Sequence, residues 1–293
     1  VADFVQQVVS GLAAGSIYAS LALALVLIYR ATDVVNFAQG EMATFTTYVA
    51  WSIMNHGVSY WPAFALTLGF AFFFGLSIQR TVIRPVERRP EIVIVIVTIG
   101  LLIAINGLVG WIWGGETKAL DSPFPNRSWE IGGVAISVQD VGTLGVCLLT
   151  VLILWGFFRF TTIGLAMRSS AVNPDASRLL GVRVTWMLAI GWGLAAVLGA
   201  VAGLMAAPTV FLDPGMMLVI LIYAFAAAVL GGIDSPVGAV VGGLLLGVIV
   251  NLLGAYVDFV GSELRLPTAL AILLLVLIVR PQGLFGHLAV RRV

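Results

Sequence analysis

RFTTIGLAMRSSAVNPDASRLLGVR, residues 159–183, is a polar interruption in a chain built mostly of membrane-length apolar segments. It carries Arg159, Arg168, Arg178 and Arg183, yet it has the signals of a folded element. Asn173 suits a helix N-cap, Pro174 fits the first helical position, and Asp175 sits where the helix dipole is positive. Gly181 supplies a stop. These signals predict a short helix over 174–180, preceded by another over 163–170 behind Thr162. Paired short helices between apolar spans imply either a docking site at a membrane surface or an ordinary loop lying among the headgroups.

The composition around this stretch bounds the class. Of 293 residues, 60% are hydrophobic and 10% charged, against about 25% charged in a soluble domain. The chain reads as an all-α, polytopic membrane bundle of about 8–9 transmembrane segments. It is a single domain over 1–293, because no polar stretch is long enough for a second core. A net charge of +1 says nothing about nucleic acid, but no basic patch interleaved with aromatics exists outside the membrane loops, so no nucleic-acid partner is expected. Cys147 stands alone in an apolar run, so it packs and forms no intrachain disulfide. Lys118 is the one lysine, and GxxxxGK[ST], HExxH, CxxC and GxSxG are all absent. The chain is therefore expected to be no enzyme, to bind no ATP in P-loop fashion and to need no metal or cofactor. The N-terminal stretch VADFVQQVVSGLAAG has Asp3 and no basic region, unlike a secretory signal peptide.

A spanning helix needs about 20 apolar residues. Segments of that kind, some shorter, are expected over 4–29, 35–54, 62–83, 92–113, 141–158, 185–207, 216–230, 237–254 and 263–279. Pro208 and the Asp213-Pro214-Gly215 turn should end the sixth. The longest polar loop, 114–139, contains the alternation WEIGGVAISV, which suits a short hairpin. Close helix packing is expected at Gly11 and Gly15, at Gly199 and Gly203, and at Gly238, Gly242, Gly243 and Gly247. The last four can pack within the chain or against a partner.

Alternating the nine segments from an outside N-terminus groups the positive charges. Arg30, Arg80, Arg84, Arg88, Arg89, Arg159, Arg168, Arg178, Arg183, Arg280, Arg291 and Arg292 fall inside. Lys118, Arg127 and Arg265 fall outside. The asymmetry puts 160–183 and the C-terminus in the cytoplasm.

The second segment holds the densest polarity of any span: Asn36, Gln39, Glu41, Thr44, Thr46 and Thr47. In a helix Phe37, Glu41, Thr44 and Tyr48 share one face. A carboxylate within a span is costly and faces protein or water. On one reading, Asn36, Gln39, Glu41, Thr44 and Tyr48 line a polar route for cargo. On the other, Glu41 sits at the cytoplasmic interface, paired with Arg30 or Arg84. Asp234 and Ser235 read as a turn, Asp258 and Glu263 as outer-surface residues, and His56 and His287 as solvated.

Five stretches carry a family resemblance. GLAAGSIYASLALALVLIY (11–29), VVNFAQGEMATFTTYVA (34–50), AVNPDASRLLGV (171–182), AFAAAVLGGIDSPVGAVVGGLLLGV (224–248) and VRPQGLFG (279–286) resemble the inner-membrane permeases of branched-chain amino acid ABC importers. The resemblance is to the shorter of the two permease types, and the stretches occur in the family's order. It implies a multi-pass protein of the bacterial inner membrane that pairs with a second, similar permease. It further implies two cytoplasmic ABC ATPases and a substrate-binding protein as partners. The family's ATPase-engaging loop maps onto 161–182, with Arg168, Asn173, Pro174, Asp175, Arg178 and Gly181 as its coupling residues here. Gln39 stands where the family often has His, Asp234 where it usually has Gly, and Arg30 replaces a small residue. Related permeases carry urea, short amides or small organic acids, so those cargoes are the alternative. An ion-coupled secondary transporter would need a second acid facing Glu41, and the sequence offers none.

Overall fold

The computed structural model describes residues 2–87, 89–131, 133–261 and 263–286. Arg88, Arg291, Arg292 and His287 lie outside the described residues. All nine expected segments are helices: α1 (Ala2–Thr32), α2 (Gln39–Asn55), α3 (Tyr60–Ile78), α4 (Glu91–Trp113), α5 (Val138–Phe160), α8 (Val184–Val210), α9 (Met216–Gly231), α10 (Pro236–Tyr256) and α11 (Arg265–Val279). Two short helices, α6 (Thr162–Val172) and α7 (Pro174–Leu179), join α5 to α8. Strands β1 (Ser128–Ile131) and β2 (Val134–Ser137) form the expected hairpin, pairing Ser128 with Ser137 and Ile131 with Val134. Among the described residues six helices are long and apolar enough to cross a membrane: α1, α3 with its π-helical extension Gln79–Ile83, α4, α5, α8 and α10. Helices α9 and α11 are shorter apolar pieces.

Burial sorts centre from perimeter. The apolar windows of α1 and α8 are both 72% buried, against 28%, 22% and 17% for α3, α4 and α5. Apolarity does not make this division, since α4 has the higher mean hydropathy, 2.9 against 2.1 for α1 and 2.0 for α8. Helix α1 packs along α10 and α8 and also meets α5 and α9; α3 lies against α8. Small residues make the central approaches possible. A Cβ at Gly15 would lie 2.8 Å from the Gly243 carbonyl oxygen, and one at Gly243 2.5 Å from the Ala19 nitrogen.

Several boundaries differ from the sequence expectation, each for a local reason. Helix α8 runs through Pro208 to Val210. Proline cannot donate to the carbonyl four residues back, and the Tyr60 hydroxyl donates to that Leu204 oxygen instead, at 3.2 Å. The helix stops at Phe211, which has a left-handed φ of 63°. Helix α11 starts at Arg265, two residues after the expected Glu263. The cap of α6 is Thr161, not Thr162: its Oγ1 accepts from the Gly164 amide at 2.9 Å. Ser235 caps α10 by accepting from the Gly238 amide at 3.0 Å, which makes 232–235 the turn expected there.

The chain after α11 folds back onto the end of α9. The Leu284 amide donates to the Leu230 carbonyl at 2.8 Å, and the Phe285 amide to the Gly231 carbonyl at 2.9 Å. Those carbonyls lie in the last turn of α9, where no intrahelical partner exists. Gly283 makes the return possible: its φ is +73°, and a Cβ there would meet the Gly232 nitrogen at 2.5 Å. Gly283→Ala is therefore expected to destabilise the chain by more than the roughly 1–2 kcal/mol of a left-handed alanine, read as a lower melting temperature in detergent. An unchanged melt would mean the clamp contributes nothing.

Candidate functional site

Helix α2 begins four residues later than the sequence suggests, and residues 33–38 are non-helical. The start lies deep in the bundle. Gln39 Nε2 donates to the Ala195 carbonyl at 2.9 Å. Ala195 is eleven residues past Val184 on α8, roughly 16 Å along that helix. Irregular backbone at such depth is tolerated only where protein covers it, and Val34, Asn36 and Ala38 are all buried. Asn36 answers one freed backbone group and steadies a side chain: its Oδ1 accepts from the Ala38 amide at 3.1 Å, and its Nδ2 donates to the side-chain Oε1 of Gln39 at 3.2 Å.

The threonines of α2 are satisfied within their own helix. Thr44 Oγ1 donates to the Gly40 carbonyl at 3.3 Å, Thr46 to Met42 at 3.0 Å, and Thr47 to Ala43 at 2.8 Å. Gln39, Thr44 and Tyr48 are fully buried in the chain, and the Tyr48 hydroxyl finds no partner among the described residues. Phe37 precedes the helix and is partly exposed, so it leaves the face it was expected to share with Glu41. Much of α2's polarity thus holds the helix within the bundle.

Glu41 differs. It is 3% exposed, and its Oε2 accepts from Asn106 Nδ2 at 3.3 Å. The same Asn106 amide donates to the Pro214 carbonyl at 2.9 Å. Asn106 lies fifteen residues past Glu91 on α4, roughly 22 Å along it. Neither Arg30 nor Arg84 pairs with Glu41; among the described residues the one ion pair is Asp175–Arg178. Asn106 thus ties Glu41 to the turn that holds Asp213 and Pro214, a neighbour the sequence did not assign to it. The first turns of α2 and α9 are neighbours, since Gly40 faces the Met217 carbonyl and Leu221. The turn between α8 and α9 is held from the other side by Lys118, whose backbone pairs with Leu212 in both directions at 2.8 and 2.9 Å. Asn106 was missed by the sequence reading. Its signal was one amide in the run IVIVIVTIGLLIAINGLVG, where an unpaired polar group is costly.

The second assembly is the α6–α7 pair. Asn173 Oδ1 accepts from the Ala176 amide at 2.9 Å, and Pro174 occupies the first helical turn. The other end closes with two bonds, Val182 amide to Ser177 carbonyl and Gly181 amide to Arg178 carbonyl, each at 3.0 Å. This is the Schellman arrangement, and it requires the left-handed Gly181 at φ +84°. A six-residue helix is marginal alone; here both ends are fixed. Arg178 Nη1 bonds Asp175 Oδ1 at 2.7 Å on the exposed surface. Leu179 and Leu180 follow, 90% and 83% exposed. Arg168 points elsewhere, into a cavity with Arg30 and Arg159.

All the glycines expected from sequence to allow close helix packing lie at helix crossings inside the chain. Gly11 and Gly15 meet Gly243, Gly247 and Val248; Gly199 meets Gln39 and Gly203 meets Thr47; Gly238 and Gly242 meet Gly231 and Ala227. Gly75 against the Trp192 carbonyl and Gly193 against Phe72 are further close approaches, between α3 and α8.

Comparison with known proteins places this geometry. The family described as "Branched-chain amino acid transport system / permease component" matches residues 7–279. The high-affinity branched-chain amino acid transport system permease protein LivH of Escherichia coli (strain K12) is 32% identical, over 99% of this chain and 98% of its own length. The corresponding permease protein BraD of Pseudomonas aeruginosa is also 32% identical, again over 99% and 98%. Among solved structures, PsaBC from Streptococcus pneumoniae in complex with Fab aligns with a TM-score of 0.51 at 13% identity, covering 94% of this chain and 91% of that one. That likeness speaks to the fold alone.

Proposed function

The chain belongs to the branched-chain amino acid transport system permease family, and from that premise we propose that it is the membrane-spanning subunit of an ABC importer for branched-chain amino acids. It is a transport subunit and not an enzyme. ATP hydrolysis falls to two cytoplasmic ATPases, and cargo arrives from a substrate-binding protein. A second, similar permease completes the pathway in the bacterial inner membrane. The N-terminus is outside, and α6–α7 and the C-terminus are cytoplasmic, as the arginine distribution supports. The observation that carries the reading is the doubly capped α7, with Leu179 and Leu180 exposed at its end, between two membrane-length helices. Arg178, Asp175 and the Asn173–Pro174 start give that element its shape and charge.

The test is uptake in vesicles that hold this chain with its co-expressed partner subunits. Radiolabelled leucine should accumulate only with binding protein outside and ATP inside. Accumulation driven by a proton gradient without ATP would overturn the reading, and preference for urea or a short amide would move the cargo class.

Cargo is proposed to pass beside the deep start of α2. Glu41 supplies the polar group nearest the route, backed by Asn36, Gln39, Thr44 and Tyr48. A buried carboxylate with one long hydrogen bond and no cation partner among the described residues is poor structural glue, because burial penalises the charge and little compensates it. Glu41→Gln keeps size and a bond to Asn106. It is expected to lower the leucine transport rate several-fold while the yield and melting temperature of the chain stay within the scatter of the parent. A lower melt with an unchanged rate would make Glu41 structural and the route elsewhere.

A further inference from the structure

A cavity of about 570 Å³ opens on the flank of the bundle among α1, α5, α6, α8 and α10, and neither Glu41 nor any other residue of α2 lines it. Its walls have a direction. On α1, Leu23 and Leu27 line it and Arg30 ends it; on α5, Leu152 and Trp155 line it and Arg159 ends it. Both helices thus place apolar side chains at helical spacing and then an arginine, over seven residues, roughly 10 Å of rise. Val240 of α10 continues the apolar wall, and Arg168 of α6 joins the arginine rim. The slot is apolar inward from one membrane surface and basic at its mouth.

The rim gathers three like charges without an answer. No acidic residue lines the cavity, and none of Arg30, Arg159 and Arg168 has an ion-pair partner among the described residues. Ser170, also in the lining, is 5% exposed, and its hydroxyl has no hydrogen-bond partner among the described residues. Guanidinium groups suit phosphate oxygens, and basic pockets between spanning helices suit anionic headgroups. We propose that this slot binds one anionic phospholipid, its phosphate among Arg30, Arg159 and Arg168 and an acyl chain along Leu27 and Trp155. The leaflet is cytoplasmic, a placement that rests on the orientation proposed above; the binding itself does not. Because the slot reaches α6, the lipid braces the root of the α6–α7 pair.

Native mass spectrometry of the purified full chain tests this. Phosphatidylglycerol should remain bound, one per chain, under activation that strips phosphatidylcholine. Arg30→Gln with Arg159→Gln should reduce that preference roughly thirtyfold, the scale set by two arginines beside an anionic headgroup. Val240→Trp, which fills the slot and keeps the arginines, should also abolish retention. Without altering the rim, phosphatidylglycerol with brominated chains should quench tryptophan fluorescence more than its phosphatidylcholine counterpart, and Trp155→Phe should remove the excess. Equal retention of the two lipids, an unchanged preference in either cavity variant, or displacement by inorganic phosphate would each overturn the proposal. The last outcome would leave a phosphate site without a lipid.

Discussion

Gly243→Leu is expected to abolish accumulation of folded protein. The glycine sits on α10 where it crosses α1, and the obstacle to any side chain is backbone. A Cβ at Gly243 would lie 2.5 Å from both the nitrogen and Cα of Ala19. Ala19 cannot rotate away, and Gly11, Gly15 and Gly247 hold the same seam at equally short range along its length. Separating the two helices would unpack α1, the most enclosed part of the bundle together with α8. Overpacking an ordinary core by a few methylenes costs roughly 1–3 kcal/mol; moving one backbone off another along a whole crossing should exceed that. Gly107→Leu is the control, because nothing lies within 4 Å of the position its Cβ would take. Fluorescence-detected gel filtration should show the Gly107 variant as a parent-like peak and the Gly243 variant as aggregate or loss. A parent-like Gly243 peak with a parent-like melt would mean that the seam is looser than its geometry.

Gly107 and Gly243 also show what a sequence can say. Both are glycines in apolar helices, and spacing separated them: GAVVGG (238–243) followed by Gly247 puts glycines four apart along one face, whereas Ile103 and Trp111 stand four residues either side of Gly107. The helix order was readable because membrane-length apolar runs leave few alternatives. Both ends of α7 were readable because capping is local, depending on Asn173, Pro174 and Gly181 within a few residues of one another. What escaped the sequence was set by tertiary partners. The Leu204 carbonyl freed by Pro208 is answered by Tyr60, 144 residues earlier, so the helix continues where proline alone would stop it. Helix α2 starts at depth because Gln39 reaches Ala195, 156 residues away. For Glu41 the sequence left two readings, a polar route or an interfacial pair with Arg30 or Arg84, and the pair is not formed. The actual neighbours of Glu41, Asn106 and the α8–α9 turn, come from elements that no periodicity links to it. The polar side chains on α2 were open to reading as the lining of a route, and three of the threonines bond back onto their own helix.

Leu179→Asp with Leu180→Asp should eliminate ATP-driven uptake while leaving the chain folded. Both side chains are almost wholly exposed, at 90% and 83%. Removing them therefore takes little from the core, and exposed substitutions of this kind usually shift stability by about 0.5 kcal/mol or less. The α7 caps, Asn173 and the Gly181 turn, are untouched. The loss falls on whatever α7 docks against. Burying a leucine contributes roughly 1.5–3 kcal/mol, so the pair represents about 3–6 kcal/mol, a hundredfold or more in affinity. Aspartate adds the cost of bringing charge into an apolar groove. The Asp175–Arg178 bond serves as contrast, since an exposed pair is worth at most about 1 kcal/mol. Asn173→Ala should fall between, loosening α7 by about 1 kcal/mol and reducing uptake without ending it. The measurements are leucine uptake, stimulation of ATP hydrolysis by the binding protein, and the melt of the purified chain. If α7 transmits ATPase closure through Leu179 and Leu180, the double variant loses the first two and keeps the third. Full uptake in the double variant would mean that the ATPases engage the chain elsewhere, and that α6–α7 is a headgroup-lying loop with well-made ends.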